Sequence, residues 1–384
     1  MTLHDTTESA KKLMIGGIIG ATGILSLVIV FRIGIIVKNI LFPPRAIPPN
    51  VAYGELAPIH FPSDAVPGNY TYDINTFTGT LPEGLPDRLN VFPIVQKVPG
   101  LNNLKEAKSK IATMGLVTTV GTPVEENPIA EDAYEWVEST GLKRKVTFNI
   151  VSFDFTLKSD YLESLDAISA NHIKSQDNAI DVGQTLLEEI GLKPNDLDLA
   201  KTSIIDKEKH YVTTPRLYSI NTRNGTLETA ESLSTAQVIR VDFYQKDVKY
   251  DLNTGLKNAS DEIETTPIEY PILYPNPPYS TMSLLLASGA NALEVVDADF
   301  THQDINLTPD PQGIYPIKTV EEAYEELRQG KAYIAAYNNP ENTQILINSV
   351  YLAYYMGKEK QDYLMPIFVF EGKDGFFAYI SAVK

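Results

Sequence analysis

Residues 13–37, LMIGGIIGATGILSLVIVFRIGIIV, decide how the chain is organised. The first part of this run, residues 13–31, carries no charged side chain and is about as long as the hydrocarbon core of a bilayer requires. It is longer than the apolar core of a cleaved signal peptide, roughly 7 to 15 residues, and the following LFPPR offers no A-x-A cleavage site. The run therefore predicts one membrane-spanning helix after a short cytoplasmic lead, residues 1–12.

The charges around this span leave its orientation open. Lys11 and Lys12 precede it, and three cations lie within or after it: Arg32, Lys38 and Arg45. A literal positive-inside count favours a cytosolic domain. We favour an inside amino terminus, because Arg32 and Lys38 can reach the interface from a long, tilted span. The expected location is the plasma membrane, crossed once, with the large carboxy-terminal domain extracytoplasmic.

Gly16, Gly20 and Gly23 share one face of the predicted helix. Gly16 and Gly20 form a G-x-x-x-G pair, whose small residues allow two helix backbones to approach closely. This face is a candidate contact with another membrane helix or with a second copy of the chain. The alternative is the general enrichment of glycine in membrane helices.

The composition describes a folded, acidic domain after the span. With 43% hydrophobic and 21% charged residues, the chain has a globular rather than a disordered composition. The net charge is -17, and residues 1–45 carry +3, so the remainder carries -20. Nucleic acid is disfavoured as a partner, because phosphate binding needs clustered Lys and Arg. The absence of cysteine excludes disulfides, thiolate catalysis and cysteine-ligated metals.

Prolines and alternating patterns divide the rest of the chain. Residues 38–67 have a proline every few positions and predict an extended spacer. A helical pattern followed by alternating strands then recurs, which predicts units at residues 68–175, 176–265 and 266–384. Helices packed on antiparallel hairpins predict an α+β fold after the single transmembrane helix.

Two of the predicted helices carry explicit end signals. The helix at residues 177–190 is followed by Gly191, a C-terminal glycine cap. The helix at residues 320–329 follows Thr319, which forms a capping box with Glu322. The sequence GKDG, at residues 372–375, joins the last two strands as a hairpin.

The carboxy-terminal unit carries a family resemblance. It reads EEAYEELRQGKAYI, then ILINSVYLAYY, then YLMPIFVFEGKDGFFAYISAV. This pattern of strands and glycines, over residues 319–383, resembles the end of YycI-type regulatory membrane proteins of Gram-positive bacteria and, more broadly, PepSY-type units. The resemblance implies one amino-terminal anchor, an extracytoplasmic domain and modulation of a sensor kinase through membrane-helix contacts. This chain is longer than those proteins, with its own spacer and a further middle section.

Asp297 and Asp299 are the best candidates for a metal site, with His302 and Asp304 close by. Oxygen ligands two residues apart suit calcium, and a histidine suits a transition metal. The surrounding VVDADFTHQDI reads as a strand, which places the two aspartates on one face and His302 with Asp304 on the other. Because one ion is not easily held from both faces, we expect an edge strand and no metal or other cofactor.

Residues 270–279, YPILYPNPPY, combine prolines with Tyr270, Tyr274 and Tyr279. Proline keeps such a segment extended, and the tyrosines offer amphipathic contact surface. The three tyrosines are candidates for a groove that binds a protein or peptide partner. A rigid crossover packed on the main sheet is the alternative.

The sequence contains no H-E-x-x-H, no G-x-S-x-G and no P-loop, and its five histidines are scattered. We therefore expect no catalysis, and a regulatory or scaffolding protein of the bacterial envelope that binds a protein or peptide partner. The alternative is a membrane-tethered envelope hydrolase whose site forms only in the folded chain. A pocket that gathers a histidine, a carboxylate and a nucleophile would favour the hydrolase.

Overall fold

The computed structural model describes residues 47–63, 69–118, 121–169, 173–199, 215–257, 262–289 and 292–384. The chain divides into a small unit, residues 1–48 and 253–266, and a large unit, residues 49–252 and 267–384. In the small unit the amide of Ile47 donates to the carbonyl of Gly255 (2.7 Å), and the hydroxyl of Thr254 donates to the carbonyl of Glu264 (3.1 Å).

The strands are β1 (Thr71–Ile74), β2 (Arg88–Pro93), β3 (Val124–Pro128), β4 (Ala133–Glu138), β5 (Lys145–Asn149), β6 (Phe155–Lys158), β7 (Arg216–Asn221), β8 (Thr226–Thr229), β9 (Val238–Phe243), β10 (Val248–Lys257), β11 (Ile263–Tyr270), β12 (Ile272–Leu273), β13 (Met282–Ser288), β14 (Leu293–Phe300), β15 (Gly313–Pro316), β16 (Tyr333–Ala336), β17 (Gln344–Tyr355), β18 (Tyr363–Gly372) and β19 (Phe377–Ser381). The helices are α1 (Asn103–Thr113), α2 (Leu165–Ser169), α3 (Gln176–Glu189) and α4 (Val320–Arg328).

Nine strands of the large unit form an antiparallel sheet in the order β3-β4-β5-β6-β14-β13-β9-β7-β8. Side-chain alternation gives this sheet two different faces. In β9, VIRVDF, the side chains of Ile239, Val241 and Phe243 enter the main apolar core, whereas Arg240 and Asp242 lie on the opposite face. The apolar face is covered by α1 and α3, and the opposite face carries the polar residues described below.

Helix α3 packs closely against β9, β13 and β14. A Cβ atom on Gly183 would lie 3.1 Å from side-chain atoms of both Leu284 and Phe243, so the glycine permits this approach. The prediction of this helix and of its glycine cap is confirmed, because α3 ends at Glu189 and Gly191 has a φ of +65°.

The second sheet has eight strands, with the central order β1-β17-β18-β19-β16, β12 beside β17, and β2 between β18 and β15. Helix α4 covers one face and buries Ala323 and Leu327 completely. The predicted capping box is confirmed: the Thr319 hydroxyl accepts from the Glu322 amide (3.2 Å), and the Glu322 carboxylate accepts from the Thr319 amide (2.8 Å). The predicted last hairpin is also confirmed, with β18 and β19 antiparallel.

The other face of the eight-stranded sheet is rich in tyrosine. The rings of Tyr333, Tyr355 and Tyr379 pack there, and Phe61, from the segment before β1, stacks on Tyr333 with its ring centroid 5.1 Å away. This tyrosine-rich face and the polar face of the nine-stranded sheet both contribute to the cavity described below.

The predicted fold class is wrong. Among the described residues, strands in three sheets make up 40% and helices 15%, so the fold is mostly β and not the predicted α+β fold after a transmembrane helix. Strands such as β3 (VEENP) and β11 (IETTPIEY) escape a search for apolar alternation because most of their side chains are exposed. Pairing of β14 with β6 then joins distant parts of the chain in one sheet.

The predicted lead, spanning helix and glycine face (Gly16, Gly20 and Gly23) lie outside the described residues. Within the described ranges, no helix is long and apolar enough to cross a membrane. The membrane location and the unit boundaries after residues 67, 175 and 265 stay predictions.

Candidate functional site between the two sheets

The proline and tyrosine segment, residues 270–279, crosses from one sheet of the large unit to the other. Ile272 and Leu273 form β12, which pairs with the end of β17 in the eight-stranded sheet. Met282 then begins β13 in the centre of the nine-stranded sheet. The segment is therefore a crossover packed between sheets, as the second interpretation of its sequence predicts.

Hydroxyl groups of three tyrosines hold the backbone of this crossover. They donate to its carbonyl groups as follows: Tyr379 to Tyr274 (3.1 Å), Tyr333 to Pro275 (2.9 Å) and Tyr244 to Pro278 (2.5 Å). These carbonyls lie between β12 and β13, outside the strands, and the hydroxyls satisfy them. The crossover is thus fixed from both sheets before any ligand arrives.

A cavity of about 600 Å³ opens beside the crossover. Its volume lies within the range of roughly 300 to 1,000 Å³ that is usual for ligand pockets. One wall is aromatic and prolyl and consists of Pro62, Tyr274, Pro275, Tyr279, Tyr333 and Tyr355. Tyr274 and Tyr279, two of the three tyrosines predicted from the sequence, therefore line one cavity, whereas Tyr270 packs in the core beside it.

The floor of the cavity is polar and comes from adjacent strands of the nine-stranded sheet. Arg240 on β9, Ser283 on β13 and Asp299 on β14 share the polar face, and the register places Ser283 between Asp242 and Asp299. The rim carries His60 and the loop between β17 and β18, residues 357–361. An apolar wall facing a polar floor suits an amphipathic ligand.

Asp242 organises the arginines of this floor. Its carboxylate, with only 3% of the side chain exposed, accepts from Nη1 of Arg216 (2.7 Å) and from Nε and Nη2 of Arg240 (3.0 and 2.9 Å). It also accepts from the amide of Ser280 (3.1 Å). Both guanidinium groups lie over the ring of Tyr279, at 4.4 and 4.5 Å from its centroid. Four hydrogen bonds thus hold the Asp242 carboxylate and the two guanidinium groups together, and two cation–π contacts hold the ring of Tyr279 against them.

Burial and ion pairing shift the pKa values of two groups in this cluster. The pKa of Tyr218 is raised to about 12, first by burial and then by the neighbouring Tyr279, while the two arginines lower it. Burial opposes the charge of Arg240, but its bonds to Asp242 outweigh this and raise the pKa of the guanidinium. Both shifts reinforce the ordinary states at pH 7, a neutral phenol and a charged guanidinium.

A second cavity, of about 330 Å³, tests the hydrolase alternative. It holds His302 together with Ser152, Asp154 and Asp304, so a histidine, carboxylates and a hydroxyl do meet. Both ring nitrogens of His302 face carboxylates, however: Nε2 lies 2.9 Å from Asp196 and Nδ1 lies 3.7 Å from Asp304.

The hydroxyl in this second cavity is engaged elsewhere. The Ser152 oxygen accepts from the amide of Asp154 (3.3 Å), and burial raises the pKa of the Asp154 carboxyl. A serine hydrolase needs its hydroxyl hydrogen-bonded to the base. Among the described residues His302 makes no such bond to Ser152, so this arrangement is a polar network around a buried histidine rather than a nucleophile with its base.

The two aspartates predicted as metal candidates lie on one face of β14, as the period of two requires. The predicted edge strand is wrong, because β14 pairs with β6 on one side and β13 on the other. Lysine ammonium groups face them: Nζ of Lys158 is 2.8 Å from Asp297 and 3.9 Å from Asp299, and Nζ of Lys358 is 3.0 Å from Asp299. β14 ends at Phe300, so His302 lies beyond this strand rather than on its other face. Within the described ranges, no group of three or more candidate ligands could hold a metal ion.

Sequence reasoning missed Arg240, Ser283, Lys358 and Lys360. They come from separate elements, and only strand pairing and a loop bring them to one cavity. A signal was available in β9, where Arg240 and Asp242 interrupt an apolar strand at a spacing of two. Two charges on one face of a central strand indicate a buried ion-pair network.

No protein-family profile matches the chain, and no curated protein matches it. One similar solved structure is the crystal structure of an uncharacterized protein from Eubacterium rectale ATCC 33656 at 1.45 Å resolution. The alignment covers 77% of this chain and 85% of that chain, at 10% sequence identity and a TM-score of 0.31. So low a score carries no conclusion about function, and the resemblance to YycI-type and PepSY-type proteins stays a prediction.

Proposed function

We propose that this protein is a non-catalytic binding protein that takes a short extended peptide, or such a segment of a partner protein, into the cavity between its sheets. The observation that carries the proposal is the fixed crossover. Its carbonyls are held by tyrosine hydroxyls from both sheets, so the aromatic wall is in place without a ligand. A preorganised wall lowers the entropy cost of binding.

The chemistry of the lining supports a peptide as the ligand. Tyrosine and proline offer large contact areas with few rotatable bonds, and tyrosine tips also donate hydrogen bonds. The polar floor adds a hydroxyl, a guanidinium and a carboxylate, which suit peptide amide and carbonyl groups. A regulatory or scaffolding role would follow from such binding. The hydrolase alternative is not supported by the second cavity, where carboxylates face both nitrogens of His302.

A selection experiment tests the proposal. Random heptapeptides displayed on phage are selected on the full chain, and the recovered sequences are synthesised and titrated by fluorescence anisotropy. The variant Ala336→Trp fills the cavity, because Ala336 lines it from the edge of the eight-stranded sheet. The variant Ala130→Trp is the matched control at an exposed turn.

We expect micromolar binding to the wild type and to A130W, and at least tenfold weaker binding to A336W. Failure to recover any peptide, or equal affinity for A336W and the wild type, would overturn the proposal. Circular dichroism of both variants checks that the added tryptophan leaves the fold intact.

A further inference from the structure

The loop between β17 and β18, residues 357–361, is a fixed platform at the rim of the cavity. Nε2 of Gln303 donates to the carbonyls of Gly357 and Glu359, both at 3.1 Å. Nε2 of Gln96 donates to the carbonyl of Gln361 (2.7 Å), whose side-chain oxygen accepts from the amide of Gly357. Side chains from outside the loop thus hold its backbone in one shape.

Two lysines project from this platform. Lys358 and Lys360 line both the 600 Å³ cavity and the neighbouring 330 Å³ cavity, so they stand where the two adjoin. Lys358 is paired with Asp299 at 3.0 Å. Lys360 makes no ion pair with any other described residue, and it is exposed. Its ammonium group is therefore available to a ligand.

The charge around the cavity has the opposite sign to the charge of the chain. The side chains that line it or belong to the ion-pair network of its floor are five cations and four carboxylates: Arg216, Arg240, Lys158, Lys358 and Lys360, with Asp242, Asp297, Asp299 and Glu359. The balance is positive by one charge, whereas the whole chain carries -17. Arg216 and Arg240 share one carboxylate, and Lys360 has none, so both positions favour an added anion.

The floor supplies a neutral donor next to these cations. Ser283 is 2% exposed and lines the cavity. A serine hydroxyl in a cavity wall can donate a hydrogen bond to a ligand oxygen. The donors around this cavity therefore complement a carboxylate.

We propose that the cavity selects peptides with an acidic residue, whose carboxylate is bound by Lys360 at the rim while an adjacent side chain packs on the tyrosine wall. This inference rests on the proposed function and names its ligand class. Peptides without an acidic residue lack the anion that the unpaired lysine attracts.

The test uses the synthetic heptapeptides from the selection described above, each paired with a twin in which Asp or Glu is replaced by Asn or Gln. Both members are titrated on the wild type, on Lys360→Gln and on Lys373→Gln, the last being an exposed lysine in the turn between β18 and β19. We expect enrichment of Asp and Glu in the selected peptides. The acidic peptide should bind the wild type and K373Q about fivefold more tightly than its twin, which is the upper end for an exposed ion pair.

On K360Q the acidic peptide and its twin should bind equally. A charge swap adds a second readout: Lys360→Glu should weaken the acidic peptide and be rescued by a peptide with Lys at the acidic position. If K360Q retains the full preference for the acidic peptide, the inference is overturned while the proposed function stands, provided that A336W still binds at least tenfold more weakly than the wild type. If no heptapeptide binds at all, both are overturned.

Discussion

Removing the charge of Asp242 should destabilise the nine-stranded sheet strongly. Its carboxylate accepts three hydrogen bonds from Arg216 and Arg240 and one from the amide of Ser280. In Asp242→Asn the two guanidinium groups, 19% and 23% exposed, would remain over the ring of Tyr279 without a counter-charge. Breaking a buried ion pair by neutralising one partner costs about 3–5 kcal/mol. Because asparagine still accepts one or two bonds, we expect a loss of about 3 kcal/mol in the free energy of unfolding.

The assay for this prediction is urea unfolding at pH 7, followed by the fluorescence of Trp136. This residue is the single tryptophan, is buried, and lies in β4 of the same sheet. The matched control is Asp251→Asn, an exposed strand aspartate, which should change the free energy by less than about 0.5 kcal/mol. A loss below about 1 kcal/mol for D242N would refute the assignment of Asp242 as the counter-charge that holds the cluster together.

Three further predictions concern stability. Burial raises the pKa of Glu371 from 4.5 to about 7, so the stability that this carboxyl contributes is complete below pH 4.5 and is lost as the pH rises through 7. At pH 8, Glu371→Gln should therefore stabilise the protein by about 1–2 kcal/mol after solvent screening, whereas the exposed control Glu341→Gln should not. Equal urea midpoints for the two variants would contradict this. Thr319→Ala removes the N-cap of α4 and should lower the free energy of thermal unfolding by about 1 kcal/mol. The control Thr308→Ala, at an exposed threonine outside the helices, should have no measurable effect. His302→Gln should cost about 1–3 kcal/mol of stability and leave peptide affinity unchanged, and lost binding in a stably folded variant would show that the second cavity belongs to the site.

Local signals in the sequence predicted local structure well. The capping box of Thr319 and Glu322, and the glycine after α3, depend on residues three or four positions apart, so the chain around them suffices. The same holds for the faces of β14, where Asp297 and Asp299 lie together as a period of two requires. These features need no knowledge of the strand partners.

The sheets and the cavity depend on pairing between distant residues. Ala298 of β14 pairs with Leu157 of β6, and Ser283 lies between Asp242 and Asp299, contacts that no short window of sequence contains. The α+β prediction failed for this reason: each helix with its hairpin looks like a separate unit until β14 joins β6. The tyrosines of the crossover were found because proline and tyrosine cluster in one stretch, whereas the polar floor is assembled only by the sheet.

Locating a bound peptide on the chain shows whether the cavity beside the crossover is the binding site. A selected heptapeptide that carries a benzophenone group is photocrosslinked to the full chain, and the attachment site is identified by mass spectrometry. We expect attachment within residues 274–279, at Tyr333 or Ala336, or in the loop at residues 357–361, and loss of attachment in A336W. Attachment elsewhere, for example to the acidic groove beside α3 lined by Asp181 and Glu189, with A336W labelled as efficiently as the wild type, would contradict it.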